Sequence, residues 1–242
     1  MCTVTYIPTE SGYLFTSNRD ESPKRAAPRL RFREMGKRRL LYPEDPRARG
    51  SWISVSDDQR LACLLNGAFV RHRRQLPYRR SRGLMLLDLF AFEDFQAFAK
   101  HYTFKNMEPF TLIGIEGREV HEFRWDGQQL HHQNLPADSS HIWSSATLYP
   151  PEMAAQRRQW FDDWWETREQ NWKNAFLFHL TAGCGDPHND LVMNRAGRVM
   201  TVSISSIQKT NEQFTFKHYD LLNTPQPAFE EGVIETLSLR DA

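Results

Sequence analysis

Two features of this chain could do chemistry together: a cysteine at position 2 and the run Asn18-Arg19-Asp20-Glu21. Removal of Met1 would leave Cys2 with a thiol and the free α-amine on the same carbon. The amine titrates at about 7.7–8 and the thiol at about 8.5, so near neutrality the first can take the proton of the second. One residue then supplies both a nucleophile and its base, with no histidine required. Cysteine is also small enough for methionine aminopeptidase to expose. The competing reading of a Met-Cys start is a small apolar residue opening a strand; the Asn-Arg-Asp-Glu run weighs against it.

The elements that must position these residues read as strands, then helices, then strands. Thr3 to Ile7 and Tyr13 to Ser17 form two short strands turning at Glu10-Ser11-Gly12. Trp52 to Ser56 and Leu61 to Leu65 form a second hairpin, turning at Asp57-Asp58. The spacing of Leu84, Leu87, Phe95, Phe98 and Tyr102 predicts a helix over 84–102. Strands follow at Thr111 to Ile115, Glu119 to Trp125 and Gln129 to Gln133, the last two joined by an Asp126-Gly127 turn. A short strand is expected at His141 to Ser144. A long helical stretch, Pro151 to Thr181, should break near Gln170-Asn171. Val199 to Ile207 and Phe214 to Leu221 are the last strands before a polar tail. Strand groups separated by long helices predict an α+β arrangement of helices layered on antiparallel sheets. No repeat or Pro/Gly-rich linker divides the chain, so residues 1–242 are expected to form a single domain.

Composition is that of a globular protein, at 40% hydrophobic and 25% charged residues. No segment approaches the ~20 apolar residues of a membrane span, and the start lacks the basic and apolar regions of a secretory signal. A cytoplasmic location is the expectation. Cys2, Cys63 and Cys184 are odd in number and widely spaced, which predicts neither disulfides nor a metal site. Cys63, in an apolar run, reads as a buried structural thiol, and Cys184 has no assignable role. The net charge of +1 hides an asymmetry: residues 24–82 hold 17 Lys/Arg against 5 Asp/Glu. Such an excess can build a surface that attracts anions.

The Met-Cys start, the Thr16-Ser17-Asn18-Arg19-Asp20-Glu21 run and a later Leu64-Leu65-Asn66-Gly67 together resemble the NRDE family, also called the transport and Golgi organisation 2 family. That family is related to the N-terminal-nucleophile hydrolases, especially choloylglycine hydrolases and penicillin V acylases. The resemblance is strong over residues 1–70 and diffuse beyond. It implies a four-layer αββα sandwich with two antiparallel sheets between helical layers. It also implies roles, residue by residue. Cys2 matches the nucleophile, Asp20 the carboxylate that orients the α-amine, and Asn66 an oxyanion-hole amide. On spacing alone Asn66-Gly67 is an ordinary turn pair.

Where the acylases place an arginine, three residues before the aspartate, this chain has Ser17. Arg19 adjoins Asp20, and neighbours on a strand face opposite ways, so Arg19 reads as structural or substrate-facing. Asn18 shares the face of Asp20 and joins the candidate site. A second catalytic asparagine of the acylases falls on Trp143-Ser144-Ser145-Ala146, making Ser144 and Ser145 candidate substrate contacts with the different reach of a hydroxyl. A late acylase arginine falls on Thr201-Val202-Ser203-Ile204-Ser205-Ser206. There Ser203, with Ser205 and Ser206, would line a pocket or a solvent-facing strand side.

Arg71-His72-Arg73-Arg74 and Arg79-Arg80-Ser81-Arg82 flank Leu76-Pro77-Tyr78. A solvated loop, a loop over an anionic small-molecule site and a nucleic-acid patch all fit. With no RNA-binding motif, no nucleic-acid partner is expected, and Arg71 is the candidate ligand contact. The aromatic stripe of Trp160/Trp164 and Phe161/Trp165, at i,i+4 spacing, predicts packing on a sheet, with a flat ligand or membrane surface as the alternative. The histidines, His131-His132 included, show no metal spacing. No cofactor is expected. Taken with the resemblance, these residues imply amidohydrolase-like chemistry on a non-peptide amide of an anionic or amphipathic small molecule. The alternative is a non-catalytic carrier of haem or lipid using the same cleft. The sequence predicts no oligomeric state.

Overall fold

The computed structural model describes residues 3–240, so Cys2 lies outside the described residues. Two antiparallel sheets stack face to face. The first runs β10 (His141–Ser144), β1 (Thr3–Thr9), β2 (Gly12–Glu21), β12 (Val199–Lys209), β13 (Gln213–Asp220), β14 (Val233–Ser238), with the short β11 (Asn194–Arg195) beside β12. The second is a meander of β3 (Leu30–Met35), β4 (Arg38–Pro43), β5 (Ile53–Ser56), β6 (Arg60–Asn66), β7 (Phe110–Glu116), β8 (Glu119–Trp125) and β9 (Leu130–Leu135).

Alternate side chains decide what each face meets. Val4, Tyr6 and Phe15 from the first sheet interlock with Ile53, Cys63 and Ile113 from the second to form the central core. The opposite side chains of the first sheet, such as Ile7 and Leu14, meet α3 (Pro151–Thr167) and α4 (Trp172–Thr181). Those of the second, such as Ala62, Leu64 and Leu112, meet α1 (Arg82–Leu89) and α2 (Phe95–His101). The layers are therefore helix, sheet, sheet, helix, the αββα order implied by the resemblance. No helix among the described residues is long and apolar enough to cross a membrane.

The aromatic stripe is packing. Phe161 is buried against Phe178 of α4, while Trp160, Trp164, Trp165 and Trp172 close over the same cluster. The helix predicted over 84–102 is two helices. Asp94 breaks it, its Oδ1 accepting from the Ala97 N–H at 2.5 Å as the cap of α2. Apolar Phe90, Ala91 and Phe92 carry the helical spacing across that break and hide it. The break near 170–171 falls as expected, with the Asn171 side chain capping α4. Strands β3, β4 and β14 have no counterpart in the sequence reading. β3 and β14 leave most side chains exposed, so they lack the one-sided apolar alternation that marks a half-buried strand.

Gly114 in β7 shows how tightly α2 is seated. A Cβ there would lie 2.6 Å from the Phe95 ring. Gly114→Ala should therefore force the ring aside and destabilise the fold by about 1–3 kcal/mol. A lower urea midpoint at unchanged slope would be the readout.

Candidate active site

The described start of β1 lies beside the Asn18–Asp20 run, since Val4 pairs with Ser17 and Thr5 with Thr16 on β2. On β2, period-2 alternation sends Ser17 and Arg19 toward the opposing sheet and Asn18 and Asp20 toward the helices. The partners of each side chain show this.

Asp20 is buried and accepts two hydroxyl hydrogen bonds, from Tyr149 Oη at 2.5 Å and Thr201 Oγ1 at 2.6 Å. Thr201 is delivered by the adjacent strand, where β12 slips register by one residue between Thr201 and Ser203. That irregularity leaves Thr201 opposite Asp20 and Ser203 opposite Arg19. Arg157, fully buried on α3, lies 3.5 Å from the Tyr149 ring centroid. Its guanidinium donates to Thr3 Oγ1 and, at 2.8 and 2.9 Å, to the carbonyls of Asn189 and Asp190.

Asn18 shares the face of Asp20 and holds α4 and the segment that follows it. Its Nδ2 donates to the carbonyls of His179 at 3.0 Å and Leu191 at 2.7 Å, and its Oδ1 meets His179 Nδ1. Because Oδ1 can only accept, Nδ1 carries the proton. Nε2 of the neutral ring then accepts from Thr5 Oγ1 at 2.8 Å. Burial, and secondarily the Arg157 cation, push His179 down to about 3.

Arg19 points into the space between the sheets. It bonds Asp45 at 2.5 Å and the Arg25 carbonyl at 2.7 Å, and stacks 3.9 Å from the Trp52 ring centroid. Burial alone would raise Asp45. The Ala48 N–H and the Arg19 and Arg25 cations outweigh it and hold the carboxyl below its usual range. His218 closes the same layer, donating from Nε2 to the Ala27 carbonyl at 2.7 Å and bridging to Ser205 at 3.0 Å. Burial pushes it down to about 4.

Asn66 ends β6 and shares with Arg19, Trp52, Arg82 and Glu108 a polar cavity of about 330 Å³. Among the described residues its buried Oδ1 has no hydrogen-bond donor. Gly67, at φ +80, turns the chain away; a Cβ on it would lie 2.9 Å from Thr147 Cγ2. Ser145 Oγ donates to the Asn66 carbonyl at 2.9 Å, tying the exit of β10 to the end of β6. Ser145 is thus fully buried and engaged with the backbone. Ser144 and Arg71 line a second, larger cavity of about 840 Å³ with apolar walls from Val70, Leu135, Ile142 and Trp143. Ser203 Oγ is buried and has no hydrogen-bond partner among the described residues; Ser206 is held by Thr16 and Trp172 on the helix side.

The structure thus gathers the sequence-predicted residues into three places. Asp20 and Asn18 lie under the helices, Arg19 and Asn66 on the polar cavity, and Ser144 and Arg71 on the larger one. Sequence reasoning missed Tyr149, Thr201, Arg157 and His179. Their separations from Asp20 and Asn18 exceed a hundred residues, and no local pattern marks them. The large cavity also contains Glu122. Burial would raise that carboxyl, but hydrogen bonds from Arg124, Trp143 and Gln133 hold it low. Among the described residues no group of His, Cys, Asp and Glu could hold a metal.

The family model for Transport and Golgi organisation 2 matches residues 1–215. The chain belongs to the Transport and Golgi organisation 2 family. Solved structures share this family member's fold. A variant of conjugated bile acid hydrolase from Clostridium perfringens superposes with a TM-score of 0.54 at 9% identity, over 99% of this chain and 97% of that one. The Caenorhabditis elegans N-acylethanolamine-hydrolyzing acid amidase ortholog gives 0.54 at 11% identity, over 85% and 92%. Curated protein sequences give no significant match. At such identities the likeness is one of fold.

Two expectations follow for this Transport and Golgi organisation 2 family member. Asn18→Ala would strand two backbone carbonyls and the His179 N–H, each costing about 1–3 kcal/mol. It should lower the thermal midpoint by many degrees, whatever it does to chemistry. His179 and His218 bind protons in the unfolded chain from about pH 6.5 downward, but in the folded protein only near 3 and 4. Stability should be insensitive to these rings above pH 6.5. Below it, each ring should cost up to about 1.4 kcal/mol per pH unit until its folded value is reached. A urea midpoint that falls from pH 6.5 to 4.5, with a shallower fall in His179→Gln, would bear this out.

Proposed function

We propose that this protein is an N-terminal-cysteine amidohydrolase acting in the cytoplasm on a non-peptide amide of an anionic or amphipathic small molecule. The observation that carries the reading is the buried Asp20 carboxylate. Two hydroxyl donors fix it at the start of β1, on the strand next to the one that Cys2 precedes. A carboxylate there orients the α-amine and stabilises the ammonium formed when the amine takes the thiol proton. The thiolate attacks the amide carbon. The Asn66 amide, on the polar cavity with Arg19, helps hold the oxyanion. The ammonium protonates the leaving amine, and water resolves the thioester. Arginines at the cavity edges suit an anionic substrate.

Three measurements test this together. Intact mass should show Met1 absent; its retention ends the amine-as-base mechanism. A thiol-directed acylating probe should label Cys2 and not Cys2→Ala. Asn66→Ala should slow acylation by about 10²–10³-fold, the effect of removing one oxyanion donor.

A second reading draws on the larger cavity. Its apolar walls, Arg71, Arg124 and Arg158, and a volume of about 840 Å³ suit haem or a lipid without any covalent step. In that case Ser144 and Ser145 stand where a catalytic asparagine has been lost. Titration with haemin or a fatty acid should then give binding that Cys2→Ala leaves within twofold.

A further inference from the structure

The loop from Gly67 to Ser81, between β6 and α1, keeps three large apolar side chains in water. Phe69 is 51% exposed, Val70 70% and Leu76 71%, the highest values among exposed large hydrophobic residues in the described chain. The loop is not loose. Its Arg74 and His72, with Arg82 just beyond it, bond to Glu108, Arg80 bonds to Asp88, and the Arg79 N–H donates to the Asn106 carbonyl at 2.9 Å. A loop tied down at so many points would ordinarily turn such side chains inward, so their exposure is a property of its fixed shape.

Charge points to what covers them. Residues 67–82 contain six arginines and no acidic residue. Glu108 and Asp88 neutralise part of this, but Arg71, Arg73 and Arg79 have no carboxylate within 4.0 Å among the described residues. Arg79 instead bonds the Thr103 carbonyl and lies over the Tyr102 ring. Apolar tips set among unneutralised cations match an anionic bilayer surface, where the side chains enter the acyl boundary and the guanidiniums meet phosphate.

We propose that this loop docks the protein on membranes containing anionic phospholipid. Docking would face both cavity mouths toward the bilayer, because Phe69, Val70 and Arg71 line the large cavity and Arg74, Leu76 and Tyr78 the small one. An amphipathic ligand is concentrated there. Docking stands independently of the hydrolase reading, since it requires neither Cys2 nor turnover.

Flotation of the full-length chain tests this with vesicles of phosphatidylcholine alone and of phosphatidylcholine carrying phosphatidylserine. The chain should float with the anionic vesicles, stay behind with the neutral ones, and be released by salt. Replacing Arg71, Arg73 and Arg79 by Gln together should weaken binding about a hundredfold, roughly fivefold per arginine. Replacing Phe69, Val70 and Leu76 by Ser together should weaken it at unchanged charge. Both variants change exposed positions and should stay folded, with at most a small loss of midpoint from the Arg79 contacts to Thr103 and Tyr102; the unfolding midpoint is measured alongside. The proposal falls if the chain ignores anionic vesicles. It falls equally if both folded variants float like wild type, or if the serine variant instead dissociates a dimer in solution, which would make the patch a contact between copies.

Discussion

The geometry of the candidate site rests on the two-residue period of β2. Because successive side chains of a strand face opposite ways, the run Ser17-Asn18-Arg19-Asp20 is dealt alternately to the two faces of one sheet. Ser17 and Arg19 enter the layer between the sheets, while Asn18 and Asp20 enter the layer beneath α3 and α4. A one-residue slip in this strand would exchange the two sets and put Arg19 among the helices. The register is held from both sides, by β1 and by the irregular pairing with β12. A contiguous tetrapeptide therefore does not act as a unit. It serves two environments of different polarity, with Asn18 joining layers and Asp20 waiting at the strand end.

The handling of charge follows the same division. Deep cations are costly unless they are paired or hydrogen-bonded. Arg19 meets that demand with Asp45, a carbonyl and the Trp52 face; Arg157 meets it with carbonyls, a threonine hydroxyl and the Tyr149 ring. The two histidines in these layers stay neutral because desolvation leaves them no alternative. Much of the basic excess of residues 24–82 is likewise structural. Arg38 and Arg60 converge on Asp58, and Arg25 joins Arg19 on Asp45.

The sequence made much of this legible, for identifiable reasons. β10 falls at His141 to Ser144, where a short strand was expected, and the break between α3 and α4 sits at Asn171, because a short strand run and an N-cap are local signals. The split of Arg19 from Asp20 was legible too, following from strand period alone. β3 was not, since Arg31, Phe32 and Arg33 are all exposed and give no one-sided pattern. The partners of Asp20 were beyond reach for another reason. Tyr149 and Thr201 meet it through loop closure across more than a hundred residues, which no local pattern encodes. The polar and apolar cavities, too, exist only once α3 and the 67–81 loop are in place.

The turn that leaves β10 is more than a connection. Ser144, Ala146, Thr147, Leu148 and Tyr149 form one wall of the large cavity, yet Ser145 grips the Asn66 carbonyl and Tyr149 grips Asp20. Six consecutive residues thus belong at once to a container and to the support of two polar groups that lie outside it. Any substitution that reshapes the container also rewrites that support. The shape of what the large cavity can hold and the placement of Asp20 and Asn66 are therefore not free to drift separately over evolutionary time.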